Sequence, residues 1–110
     1  MIVIDISLDK TGILKTCRIN GHAEAGPKGT DIVCAAVSIL ARTTFNVLAK
    51  RNGVEVLGGA PGRGVFFMEI KADKTENHFI SAISDFFLEG LRSVSKEYPD
   101  FCTMNISTGS

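Results

Sequence analysis

The sequence predicts an α+β domain, with a mostly antiparallel sheet packed against two helices in the order ββαββαβ. Three observations carry this. Short segments alternate apolar and polar residues with period two. They come in pairs separated by turn residues, as hairpins do. Two longer segments instead carry apolar residues at helical spacing. Hairpins combined with helices favour an antiparallel sheet with a helical layer.

Residues 2 to 8 place Ile2, Ile4 and Ile6 on one side and Val3, Asp5 and Ser7 on the other, as in a strand. Asp9-Lys10-Thr11-Gly12 reads as a turn, and residues 13 to 20 as the second strand of a hairpin. The stretch from Gly21 to Thr30 holds Gly21, Gly26, Pro27 and Gly29. Neither helix nor strand tolerates that density, so it is a loop. A helix is expected from about Asp31 to Arg51, with Thr30 or Asp31 accepting a bond from a free backbone amide at its start. Asn52-Gly53 ends it. Its first half, from Ile32 to Leu40, is apolar almost all round, which predicts central burial.

Val54 to Leu57 and Val65 to Ile70 read as two further strands, joined by the loop from Gly58 to Gly64. That loop is rich in glycine, but it leads into a strand. A phosphate cradle should lead into a helix, so a hairpin turn is the reading adopted. Asp73 and Glu76 have capping-box spacing, with a carboxylate in place of the usual hydroxyl. Phe79, Ile83, Phe86, Phe87, Leu91 and Val94 form the apolar stripe of a second helix, which Pro99 stops. Phe101 to Ser107 is the last strand.

The chain has 110 residues, which suits one domain over 1–110 with a single core. It is 45% hydrophobic with zero formal charge. That argues against disorder, and against binding nucleic acid through bulk charge. No run of about 18 apolar residues stands out, so no membrane span is expected. Met1-Ile2-Val3-Ile4-Asp5 lacks the basic region of a signal peptide, so a cytoplasmic location is expected, where thiols stay reduced. Cys17, Cys34 and Cys102 contain no CxxC pair, and neither a zinc site nor a cofactor is expected.

The chemistry concentrates between His22 and Cys34. A thiolate is the nucleophile, and something must lower the thiol's pKa. A cysteine in the first turn of a helix lies near free amides and the positive end of the macrodipole. Those amides are also suited to holding an oxyanion. His22 ends the second strand. If that strand lies beside the helix, the glycines between allow the loop to double back, giving a Cys-His dyad. The plainer alternatives are a small buried thiol and a surface histidine. Asp31 caps the helix or orients His22. Ser38, one turn beyond Cys34, bonds substrate or back-bonds within the helix. Cys17 and Cys102 are read as packing residues and His78 as solvated. One member of each pair, Phe66-Phe67 and Phe86-Phe87, is a candidate to line an apolar substrate groove.

Gly21-His22-Ala23 and Asp31-Ile32-Val33-Cys34-Ala35-Ala36-Val37-Ser38 closely resemble the ribosomal-processing cysteine proteases called Prp, also known as YsxB-like proteins. Length and element order agree along the whole chain. The resemblance implies a homodimeric bacterial cytoplasmic endopeptidase that removes the N-terminal extension of a large-subunit ribosomal protein. It makes Cys34 the nucleophile and His22 the general base, with Gly21, Asp31 and Ser38 at supporting positions. It also implies that residues 23 to 29 move when substrate binds. Family members often carry aromatic residues in that loop, where this chain has Ala25 and Pro27. The alternative is a non-catalytic ribosome-associated binding module with Cys34 merely packed.

Overall fold

The computed structural model describes residues 1–21, 30–62 and 64–109, without the side chains of residues 30, 31, 61 and 62. Strands β1 (Ile2–Leu8) and β2 (Leu14–Asn20) precede helix α1 (Thr30–Ala49). Strands β3 (Val54–Gly62) and β4 (Val65–Ala72) follow, then helix α2 (Asn77–Glu97) and strand β5 (Cys102–Thr108). The α+β class and the element order are as expected. The five strands lie in the order β3-β4-β2-β1-β5. Three neighbouring pairs are antiparallel, and β5 runs parallel to β1.

Register explains why one sheet face is apolar. Ile4 pairs with Ile19, which pairs with Phe66, and Ile6 pairs with Cys17, which pairs with Met68. All six are buried. Period-two alternation sends them to the same side, and the helices cover that side. α1 packs on β3, α2 packs on β5 and β2, and the helices pack on each other. The opposite face carries Asp5, Arg18 and Phe67 in one row. There the Arg18 guanidinium lies 5.1 Å from the Phe67 ring centroid, and Asn105 Nδ2 donates to Asp5 Oδ1 at 3.0 Å.

The turn after β1 is held by Asp9. Its Oδ1 accepts from the Thr11 hydroxyl at 2.6 Å and from the amides of Thr11 and Ile13 at 2.8 and 3.1 Å. The Thr11 hydroxyl bond leads in holding this carboxyl below its ordinary 3.8, with the backbone bonds adding to it.

Five expectations need correction. α1 is not buried all round: Val33, Val37, Ala41, Thr44 and Leu48 are buried, while Ile32 and Ile39 are 61% and 58% exposed. The sheet covers one side and α2 one flank, leaving the outer face open. Its segment Ile32–Ala49 is nevertheless long and apolar enough to cross a membrane by length and composition, contrary to the reading of the sequence. In this fold that segment supplies the core face of α1.

In α2 the buried set is Ile80, Ser84, Phe87, Leu88 and Leu91, and Phe86 points outward. Ser84 is buried because its Oγ accepts the Leu14 amide at 3.1 Å. Removing that acceptor would strand a buried amide, a loss of about 1–3 kcal/mol.

No capping box forms: Asp73 makes no side-chain cap bond. Glu76 turns instead to Arg51, whose Nε lies 2.7 Å from its Oε1. Arg51 also lies 4.3 Å from the Phe79 ring centroid. This cluster joins the end of α1 to the start of α2.

Finally, β3 continues to Gly62 rather than stopping at Leu57, with a register irregularity between Gly59 and Gly62. Gly58, at φ +114, lets this happen: a Cβ there would lie 2.1 Å from the Phe67 carbonyl oxygen.

Candidate active site

Cys34 was expected in the first helical turn. α1 begins at Thr30, so Cys34 is its fifth residue, at the start of the second turn. Its own amide therefore lies inside the helical ladder. The amides left without intrahelical partners are those of the first turn, Thr30 to Ile32 among them. Thr30 and Asp31 are helical residues rather than residues preceding the helix. Capping by either side chain, and any contact of Asp31 with His22, lie outside the described residues.

The three thiols occupy different environments. Cys34 is partly buried, packed against the edge of the core. Cys17 and Cys102 are buried in strands, as expected of packing residues. Burial, with a smaller contribution from Asp5, pushes the Cys17 thiol from 9.0 up to about 12. Burial also raises Cys102. Neither gives an appreciable thiolate fraction near neutral pH.

The position of Cys34 around α1 decides what it faces. The flank of α1 that meets α2 carries Leu40, whose Cδ2 would lie 2.9 Å from a Cβ on Gly90. At roughly 100° per residue, Cys34 lies about 120° around the axis from Leu40. Ser38 and Phe45 share its flank. Phe45 meets Phe66 of β4 edge to face, centroids 6.2 Å apart. Cys34 and Ser38 are thus on the flank turned away from α2, on the β3 side. Ser38 is partly buried and its hydroxyl makes no back-bond along α1, unlike Ser93, which bonds the Glu89 carbonyl at 3.0 Å.

The chain arrives at this end of the sheet through Gly21. Gly21 has φ +106, and a Cβ there would lie 2.1 Å from the Met1 carbonyl oxygen. Its amide donates to the Gly64 carbonyl at 2.9 Å. Glycine is therefore required immediately before His22. His22 itself, the loop 23–29 with Ala25 and Pro27, and the expected motion of that loop lie outside the described residues. His78 is exposed.

Of the aromatic pairs, Phe66 and Phe87 are core. Phe86 does line an apolar cavity, but between α1 and α2 with Ile39, Leu40, Val47 and Ile83. That is the flank away from Cys34. Sequence reasoning missed Gly64, whose role is a tertiary backbone bond with no local signal. It also missed Phe45, which helical spacing from Cys34 and Ser38 would have revealed.

A sheet with both helices on one face presents a partly accessible thiol near the start of the first helix, an arrangement that suits thiol-dependent hydrolysis. Residues 1–103 match the family model for cysteine protease Prp. The chain belongs to that family and is a cysteine protease. It is 27% identical over 105 residues to the ribosomal processing cysteine protease Prp of Staphylococcus aureus, covering 96% of this chain and 98% of that one. The crystal structure of the S. aureus protease with a covalently linked product peptide superposes with a TM-score of 0.80 at 25% identity, covering 97% of this chain and all of that one. A Streptococcus mutans protein of known structure gives 0.80 at 30% identity, with 98% and 95% covered.

Proposed function

We propose that the chain is a cytoplasmic endopeptidase that removes the N-terminal extension of a large-subunit ribosomal protein through a Cys34–His22 dyad. The observation that carries this is the contrast among the thiols. Cys34 alone is partly accessible, near the amide-rich start of α1, while Cys17 and Cys102 are buried with raised pKa values. The ribosomal processing role of the S. aureus relative supplies the substrate class.

In this mechanism His22 takes the Cys34 proton, and the thiolate attacks the scissile carbonyl carbon. The carbonyl oxygen gains the negative charge, and the free first-turn amides of α1 serve as its donors in this reading. The carbon–nitrogen bond breaks, and the leaving amine takes the proton from the imidazolium. A thioester remains. His22 then deprotonates a water, whose oxygen attacks the thioester and releases the new carboxyl end. The departing sulfur recovers its proton.

A homodimer is part of the proposal. Ile39 and Phe86 are 58% and 72% exposed beside the apolar cavity between α1 and α2, which has a volume of about 460 Å³. A contiguous apolar patch of this kind fits a second copy of the same face.

The test incubates purified variants with a peptide spanning the extension and analyses products by mass. Cys34→Ala should abolish cleavage. His22→Ala should lower the rate about 10²–10⁴-fold, the usual worth of general acid–base help. Wild-type cleavage by Cys34→Ala would overturn the assignment and favour the binding-module reading.

A further inference from the structure

Two backbone hydrogen bonds determine which groups along β3 are free. Asp73 donates to the Gly53 carbonyl, which makes 53 and 73 a hydrogen-bonded pair at the start of the β3–β4 ladder. In an antiparallel ladder such pairs alternate with non-bonded ones. With Val54 opposite Ala72 and Val56 opposite Ile70 in the register, the bonded residues of β3 are Glu55, Leu57 and Gly59. The bond from Gly21 to Gly64 gives the same phase from the other side. It sends the groups of residues 64, 66 and 68 toward β2, and those of 67, 69 and 71 toward β3.

The amides and carbonyls of Val56 and Gly58 therefore point out of the sheet. β3 is an edge strand, so no neighbouring strand receives them. Among the described residues these amides have no partner. The Val54 amide, by contrast, is bonded to the Arg51 carbonyl.

This edge lies on the Cys34 side. α1 packs on β3, whereas the other edge, β5, lies under α2. The short Asn52-Gly53 connection places the end of α1 by the start of β3, so the two run in opposite directions. The start of α1, with Cys34, consequently lies toward the Gly58–Gly62 end of β3. Gly58 also has no side chain to screen its backbone.

We propose that the peptide substrate binds in extended form as an added strand along the open edge of β3, pairing with the backbone of Val56 and Gly58 on its way to Cys34. This rests on the protease reading and names how that site holds its substrate. An extended peptide offers alternating amides and carbonyls in the spacing that an unpaired edge requires. Main-chain pairing holds the chain without demanding particular side chains.

The test uses amide hydrogen exchange, read by NMR, on the Cys34→Ala protein with the uncleaved extension peptide. The Val56 and Gly58 amides should exchange freely alone and slow at least tenfold with peptide at saturation. Peptide binding that leaves both amides unprotected would overturn the proposal. So would protection without peptide, which would mean that a second copy already closes the edge. A kinetic arm uses Val56→Pro, which deletes an outward amide and leaves the internal ladder intact. KM for the peptide should rise about tenfold, while the alkylation rate of Cys34 stays at the wild-type value. An unchanged KM in a folded Val56→Pro protein would also overturn the proposal. Failure of the protease reading looks different: the wild type itself would not cleave, whatever the state of the β3 amides.

Discussion

Gly21 and Met1 are in backbone contact so close that no side chain fits between them: a Cβ on Gly21 would lie 2.1 Å from the Met1 carbonyl oxygen. The bond from the Gly21 amide to Gly64 fixes the same residue from the other side. The turn that launches His22 is thus set by the first residue of β1's lead-in and by the β3–β4 hairpin together. Gly21→Ala should cost stability twice, through the clash and through a positive φ worth about 1–3 kcal/mol. Thermal unfolding should show a clear drop in midpoint. Cleavage should fall further than the lost folded fraction explains, because the histidine's approach changes. An alanine variant with wild-type stability and kcat would remove this role.

Alkylation separates the thiols. Iodoacetamide near neutral pH should label Cys34 and spare Cys17 and Cys102 in the folded protein. All three should react after denaturation. Peptide mapping by mass spectrometry gives the answer, and labelling of Cys17 before Cys34 would contradict the environments described above.

Burial of Cys17 makes stability fall at alkaline pH. Its folded value is raised to about 12 from 9.0. Below pH 9 both folded and unfolded thiols are protonated, and no penalty exists. Between pH 9 and about 12 the unfolded thiol ionises while the folded one stays protonated. The unfolded state then binds fewer protons, so stability declines with rising pH, by about 1.4 kcal/mol per unit for one such group. Denaturant unfolding as a function of pH should show this slope, and Cys17→Ala should flatten it. An identical alkaline slope in the variant would mean that other groups cause it.

Phe86 tests the proposed dimer. Phe86→Ser removes the most exposed large apolar side chain of α2. It should convert the protein to monomer in light scattering at micromolar concentration and leave the unfolding midpoint of the monomer nearly unchanged, since the ring has little to lose from the core. A dimer of wild-type strength in this variant would place the interface elsewhere.

Local residue patterns in the sequence determined the strand pairs, the two helices and their order. Period-two alternation in β1 and the glycine density after Asn20 act within a few residues, so they can be read without knowing the fold. The nucleophile candidate was also legible, through its position near a helix start. Tertiary structure decided the rest. Which side of α1 stays bare depends on how many layers cover it, and only two helices on one sheet face leave Ile39 outside. Ser84 enters the core because a distant amide, that of Leu14, needs an acceptor. Glu76 abandons the local cap for Arg51, twenty-five positions away. The outward direction of the Val56 and Gly58 amides follows from ladder phase and strand order, which no segment of the chain records alone. Local propensity acts over neighbours in sequence, whereas burial, register and hydrogen-bond satisfaction are settled between segments that meet only when the chain folds.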